Sequence, residues 1–306
     1  MRPLRQIREE FRKILKAAYG EQESDALFYW AAQEILHQDR MQLVANLSEN
    51  VSESQAESFS RALARLQEGE PVQYIFRKAY FLDLELEVNP SVLIPRGETE
   101  ELVLWALESL RSVAAPRVLD LCTGSGAIAL AIAKARSDAS VWACDISSDA
   151  LQTALRNNEK CGTDVHFFQQ DILQESLSEN IRHQNFDLIV SNPPYVRHSE
   201  KTSMRPNVLN YEPHTALFVE DADPLLFYRR IATLAQERLR VGGQVLVEIN
   251  EAFPEECKAL FAASGLTDIE VRQDLHGKAR MLKGCKITPK TVSSQDYSKT
   301  NDRNSR

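Results

Sequence analysis

From Arg117 onward the chain alternates short apolar runs with helical stretches, and this alternation limits the fold more than any other feature. Val118-Leu119-Asp120-Leu121, Val141-Trp142-Ala143-Cys144-Asp145, Val165-His166-Phe167-Phe168 and Phe186-Asp187-Leu188-Ile189-Val190 each fit a strand buried on both faces. Helical stretches at 127–135 and 148–160 separate the first three. Further on come a helix at 224–240, a strand at 244–249, a helix at 254–264 and closing strands near 269–271 and 281–283. Such a pattern predicts an α/β domain with a doubly wound, mostly parallel sheet and helices on both faces. Ligands of these sheets bind at the carboxyl ends of the strands, so the residues that follow each apolar run are the candidates.

The first 73 residues read differently. Leu4, Ile7, Phe11 and Leu15 recur at helical spacing, as do Leu27, Trp30, Ala31, Ile35 and Leu36, and then Phe59, Leu63 and Leu66. Gly69 and Pro71 stop the last of these helices. The expectation is a small helical domain over 1–73, whose aromatics form its core or dock a partner; nothing in it suggests chemistry. Residues 74–93 switch to alternation, with Phe81, Leu84, Leu86 and Val88 between acids, and predict a β-hairpin linker. Thr99 or a neighbour is the expected cap of the amphipathic helix that follows. Arg96, in the turn before it, is either a surface charge or an arm over an active site. At the other end, 287–306 is Ser, Thr, Lys, Asn and Asp with little apolar content and predicts a disordered polar tail.

Composition excludes several classes. A net charge of −8 disfavours bare nucleic acid as the main partner. No run of about 18 apolar residues offers a membrane span, and Met1-Arg2-Pro3-Leu4-Arg5 lacks the apolar core of a signal peptide. Five cysteines, an odd number with no Cys-x-x-Cys pair, fit free thiols in a cytoplasmic protein. The six histidines have no ligand spacing, so no metal is expected. Gly242-Gly243-Gln244 reads as a turn into the strand after it.

Asp120-Leu121-Cys122-Thr123-Gly124-Ser125-Gly126 joins the first strand to its helix, and small residues there let backbone approach a ligand closely. Gly124-x-Gly126-x-x-Ala129 also satisfies a dinucleotide fingerprint. The acids separate the two readings. Asp145 serves ribose hydroxyls in either case. Asp120, just before the glycines, is unwelcome beside a pyrophosphate and welcome beside a cation. Asp171, after the third strand, offers an acceptor to an exocyclic amine. Three acids at three strand ends favour S-adenosylmethionine over a set of helix caps and turn formers.

After the fourth strand stands Ser191-Asn192-Pro193-Pro194-Tyr195. A planar amide or ring –NH2 is a poor nucleophile because its lone pair is delocalised. Two acceptors aimed at its hydrogens, the Asn192 side-chain oxygen and the Pro193 carbonyl, hold it and let the nitrogen become more tetrahedral. The prolines fix the chain direction, and Tyr195 is placed to stack on the flat group. In-line methyl transfer then gains from orientation and needs no strong base.

With Gly69 to Ile75, Leu93-Ile94-Pro95-Arg96-Gly97-Glu98-Thr99-Glu100, Asp120 to Leu130, Ser191 to Tyr195 and Tyr211-Glu212-Pro213-His214-Thr215-Ala216-Leu217, the chain resembles the HemK-type protein-(glutamine-N5) methyltransferases that act on peptide chain release factors. The resemblance implies a seven-stranded methyltransferase sheet over 94–286 that binds S-adenosylmethionine. It places the cofactor along Asp120, Cys122 to Gly126, Asp145, Asp171, Ile172 and Asn192. It places the substrate glutamine, from the Gly-Gly-Gln loop of a release factor, along Asn192 to Tyr195, Arg96 and Glu212, so that modification tunes translation termination; a monomer is expected, although the sequence itself does not give the oligomeric state. Glutamine of a ribosomal protein, or an adenine amine, is the alternative acceptor. Two departures stand out: the family usually has Gly at Cys122 and Pro at Gly97. An aromatic is also common at Ile172. If the backbone at Cys122 needs a positive φ, a shifted turn and weaker cofactor binding are expected.

Overall fold

The computed structural model describes residues 2–287, so the expected polar tail lies, apart from Ile287, outside the described residues. The chain opens with β1 (Arg2–Pro3), α1 (Leu4–Leu36), α2 (Arg40–Ala45), β2 (Asn50–Val51), α3 (Glu53–Gln67) and α4 (Val72–Phe76). The first two expected helices are one element interrupted at Gly20, whose φ of 75° and ψ of 175° break the helical path. Helices α2 and α4 are too short to show a period. Capping boxes start α2, with Asp39 and Gln42, and α3, with Ser52 and Gln55. Leu4, Ile7, Phe11, Phe28, Phe59 and Leu63 make this part's own core. Phe28 meets Phe11 edge-on at 5.6 Å between centroids and stacks on Phe59 at 6.1 Å.

Between 74 and 93 the strands are short: β3 (Ala79–Phe81) and β4 (Leu84–Leu86) pair antiparallel around Leu82, which turns with a φ of 48°. Phe81, Leu84 and Leu86 face the main core. Next come α5 (Gly97–Ser109), β5 (Arg117–Leu121), α6 (Ala127–Ala135), β6 (Ser140–Asp145), α7 (Ser148–Cys161) and β7 (Val165–Gln169). Asn157 of α7 clamps the hairpin, accepting the Glu87 N–H at 2.6 Å and donating to the Glu87 carbonyl at 2.9 Å. A short α8 (Glu179–Arg182) leads to β8 (Phe186–Ser191).

The long loop after β8 carries β9 (Val196–Arg197), a 3-10 turn, α9 (Pro206–Tyr211), a second 3-10 turn and β10 (Phe218–Val219), with β9 and β10 paired in parallel. The chain closes through α10 (Leu226–Arg238), β11 (Leu239–Glu248), α11 (Pro254–Ala263), β12 (Thr267–Gln273) and β13 (Ala279–Cys285). The glycine pair read as a turn before this strand lies inside β11, at an irregularity in its pairing with β8. A Cβ on Gly243 would come within 3.0 to 3.2 Å of three backbone carbonyls, so only glycine fits there.

The main sheet has seven strands in the order β12-β13-β11-β8-β5-β6-β7. All are parallel except β13, which runs antiparallel between β11 and β12. From β5 the chain winds outward through β6 to β7, then returns to the other side of β5 as β8. The winding reverses between β5 and β8, and a crevice opens at their carboxyl ends.

Candidate active site

The turn leaving β5 is built from left-handed residues: Cys122 (φ 60°), Gly124 (φ 56°) and Gly126 (φ 85°). Gly126 starts α6, and a Cβ there would meet Leu130 Cδ1 at 3.1 Å and Ala154 Cβ at 3.3 Å. Cys122 takes the same backbone hand without glycine's freedom, at a cost of about 1–2 kcal/mol. The Gly124 N–H donates to Asp145 Oδ2 at 2.9 Å across the ends of β5 and β6. Asp145 Oδ1 accepts the Ser147 N–H at 3.0 Å, and burial raises this carboxyl above its ordinary range.

These residues line a cavity of about 360 Å³ at the switch point. Cys122, Thr123, Gly124 and Ser125 form one wall, with Asp145, Asp171 and Ile172 from the ends of β6 and β7. Asn192, Pro194 and Arg96 form another. Asp120, Gly126, Pro193, Tyr195 and Glu212 are not on its surface. Asp120 is wholly buried beneath the turn, where it accepts the Thr123 hydroxyl at 2.6 Å and burial pushes it up to about 7. Its other oxygen has no hydrogen-bond partner. Thr99, Ile146, Gln170, Phe218 and Phe227 also line the cavity. Ile146 and Gln170 follow β6 and β7, where strand-end residues were to be expected, whereas Thr99, Phe218 and Phe227 come from α5, β10 and α10, elements distant in the chain that carried no signal for this role.

The donor set suits S-adenosylmethionine. A side chain at Gly124 would meet no protein atom within 4 Å, so the turn leaves open space beside two carboxylates. Beneath it the buried Asp120 carboxyl keeps one oxygen without a hydrogen-bond partner.

At the substrate end, the Ser191 hydroxyl donates to the Leu121 carbonyl at 2.7 Å and locks the ends of β8 and β5 together. Asn192 Nδ2 donates to Thr99 Oγ1 at 3.0 Å, Thr99 donates to Glu248 Oε2 at 2.6 Å, and the Tyr195 hydroxyl donates to Glu248 Oε1 at 2.9 Å. Thr99 is therefore not the helix cap: Arg96 holds that position, and no side chain caps α5. Tyr195 is anchored inward, its ring against the apolar cluster on one sheet face and its carbonyl accepting from Asn250 Nδ2 at 3.1 Å. Arg96 lines the cavity and pairs with the buried Glu212 at 2.5 Å; the other Glu212 oxygen accepts the Ile94 N–H at 3.1 Å. One carboxylate thus ties the loop before α5 to the loop after α9. Among the described residues no group of His, Cys, Asp or Glu is placed to hold a metal, and no helix is long and apolar enough to cross a membrane.

A crevice of this kind, at the reversal of a seven-stranded sheet with a glycine turn and carboxylates at successive strand ends, defines a methyltransferase, and residues 100–210 match the family described as "Methyltransferase small domain". The human METTL16 catalytic domain, solved with an RNA hairpin, superposes with a TM-score of 0.56 at 15% identity, covering 86% of this chain and 92% of that one, a likeness of fold alone. Residues 6–76 match the "PrmC N-terminal domain". The release factor glutamine methyltransferase of Flavobacterium psychrophilum is 39% identical over 283 residues, 92% of this chain and 98% of that protein. That of Bacteroides thetaiotaomicron is 39% identical over 279 residues, 91% and 99% of the two chains, and that of Bacillus subtilis 37% over 252, 80% and 85%. The chain belongs to the release factor glutamine methyltransferase family.

Proposed function

We propose that the protein methylates N5 of the glutamine in the Gly-Gly-Gln loop of peptide chain release factors, with S-adenosylmethionine as the donor. The observation that carries the reading is that Asn192 and Pro194 line the same cavity as the glycine turn, Asp145 and Asp171. Acceptor and donor sites are thus one continuous space.

S-adenosylmethionine, when bound, supplies an electrophilic methyl group on a positive sulfur. Cys122 to Ser125, Asp145, Asp171 and Ile172 are the residues that would hold it: backbone at the turn, carboxylates toward hydroxyl and amino groups, and Ile172 as an apolar surface. Asn192 Oδ1, on the cavity wall, accepts one hydrogen of the substrate amide, and the carbonyl of Pro193, between the cavity-lining Asn192 and Pro194, is the acceptor proposed for the other; together they fix the nitrogen's orientation and favour its pyramidal form. Pro193 and Pro194 hold that pair of acceptors rigid. Tyr195 braces the motif from behind through Glu248. Arg96 faces the cavity with its charge matched by Glu212. The gain is one of orientation, and the amide proton leaves to water after the new bond forms, so no side-chain base is needed.

The test is transfer of labelled methyl from S-adenosylmethionine to three acceptors in parallel: a release factor, a ribosomal protein and DNA. Label on the release factor glutamine is the expected result, and Asn192→Ala abolishes it while S-adenosylmethionine still binds. Label confined to ribosomal protein or DNA refutes the substrate assignment; full activity in Asn192→Ala refutes the mechanism.

A further inference from the structure

Asn192 is an amide, with a donating end and an accepting end of nearly the same shape. Only its oxygen serves a substrate –NH2; the reverse orientation sets donor against donor. A chain of hydrogen bonds behind Asn192 bears on which of the two is present. Glu248, at the end of β11, is 1% exposed, and two hydroxyls converge on it, Thr99 at 2.6 Å and Tyr195 at 2.9 Å, the arrangement of an ionised carboxylate that only accepts. Burial raises the Glu248 carboxyl above its ordinary range, and the Thr99 and Tyr195 hydrogen bonds and the Arg280 charge oppose that rise. Thr99 has a single hydroxyl hydrogen, and Glu248 takes it. Toward Asn192, at 3.0 Å, Thr99 is left only as an acceptor. That contact is satisfied by Nδ2 and not by Oδ1.

We infer that Thr99 and Glu248 are positioning residues that fix which way round the Asn192 amide sits, so that Oδ1 is presented to the substrate amide. The inference rests on the function proposed above. Neither residue is part of the Asn-Pro-Pro-Tyr motif: Thr99 lies 93 residues before Asn192, and Glu248 lies 149 residues after Thr99. Tyr195 donates to the same side chain, so one buried acid sets both ends of the motif.

The experiment measures kcat and KM for methylation of a release factor, with the S-adenosylmethionine Kd from calorimetry, in wild type, Thr99→Val, Thr99→Ser and Glu248→Gln. Val keeps the shape of Thr and removes the hydroxyl. Thr99→Val is expected to lower kcat by about tenfold, the worth of one well-placed hydrogen bond. Its Kd and its release-factor KM, which a whole protein surface sets, stay within about twofold. Thr99→Ser recovers most of the loss. Glu248→Gln also slows the reaction, because its own –NH2 must face one of the two hydroxyls. Wild-type kcat in Thr99→Val, or Thr99→Ser as slow as Thr99→Val, overturns the inference. Wild-type kcat in Glu248→Gln removes Glu248 from it, and parallel losses of Kd and kcat reduce both residues to structural supports. A wild-type protein that leaves release factors unlabelled refutes the proposed function instead, and that result is read before any variant.

Discussion

Cys122 occupies a backbone position made for glycine, and this can be measured. Its φ of 60° lies in the left-handed region, between the left-handed Gly124 and Gly126 two and four residues on. For a residue with a Cβ that conformation costs about 1–2 kcal/mol. Glycine removes the cost but gives the unfolded chain more freedom, which takes back about 0.4–1 kcal/mol. The clean comparison is Cys122→Gly against Cys122→Ala, since both lose the sulfur and its contacts. At an ordinary φ the alanine variant is the more stable of such a pair by about 0.4–1 kcal/mol. Here the sign reverses, and Gly is expected to exceed Ala by about 1 kcal/mol, or about 2–4 °C in melting temperature. Urea unfolding followed by tryptophan fluorescence, with a thermal melt beside it, resolves that difference. The strain is already present in the turn before any ligand arrives. S-adenosylmethionine affinity in Cys122→Gly should therefore stay within about threefold of wild type. An alanine variant as stable as the glycine variant would refute the strain argument. A large gain in affinity for Cys122→Gly would instead mean that the cysteine distorts the turn in the way the sequence comparison with the family anticipated.

Two further outcomes are expected. Gly97 is the first residue of α5, Arg96 before it sits at φ −107° and ψ 154°, which a following proline tolerates, and a side chain at Gly97 meets nothing within 4 Å; Gly97→Pro should raise stability by about 0.5–1 kcal/mol in a denaturant melt. Asp25 is gripped by Arg8 at 2.6 and 2.8 Å and by Arg12 at 2.8 and 3.0 Å, and the Arg8 hydrogen bonds above all hold its carboxyl down to about 2. A depressed carboxyl stabilises the fold above its unfolded value near 4 and loses that as pH falls through the folded value. Asp25→Asn should thus cost about 1–2 kcal/mol at pH 7 in urea melts, with the gap to wild type closing between about pH 4 and pH 2.

Much of the architecture was legible because parallel strands buried on both faces are written as unbroken apolar runs. Phe186 to Ser191 and Ala127 to Ala135 end where the runs and small-residue stretches end. What escaped was short or non-local. Helices α4 and α8 are only 5 and 4 residues long and show no period, and α1 continues past Gly20 because its two halves share one core. The glycine turn was visible because its residues are contiguous, although Asp120 supports the turn from below rather than lining the cavity.

Thr99 shows how a local rule misleads. A threonine at the head of an amphipathic helix carries the signal of a cap, yet its hydroxyl crosses to Glu248 on another element. That partner was within reach of the rule that singled out Asp120 and Asp145: an acid closing an apolar parallel strand. Val245-Leu246-Val247-Glu248 meets the same description, on the far side of β8 from the cofactor turn. An acid that ends a buried strand has to be paired, ligand-facing or neutral, because an isolated charge there is too costly. Applied to every strand of the sheet, the rule divides the acids by side. Asp145 and Asp171, on the β6 and β7 side, line the cavity, Asp120 on β5 lies beneath it, and Glu248 on the β11 side accepts from Thr99, which in turn accepts from Asn192.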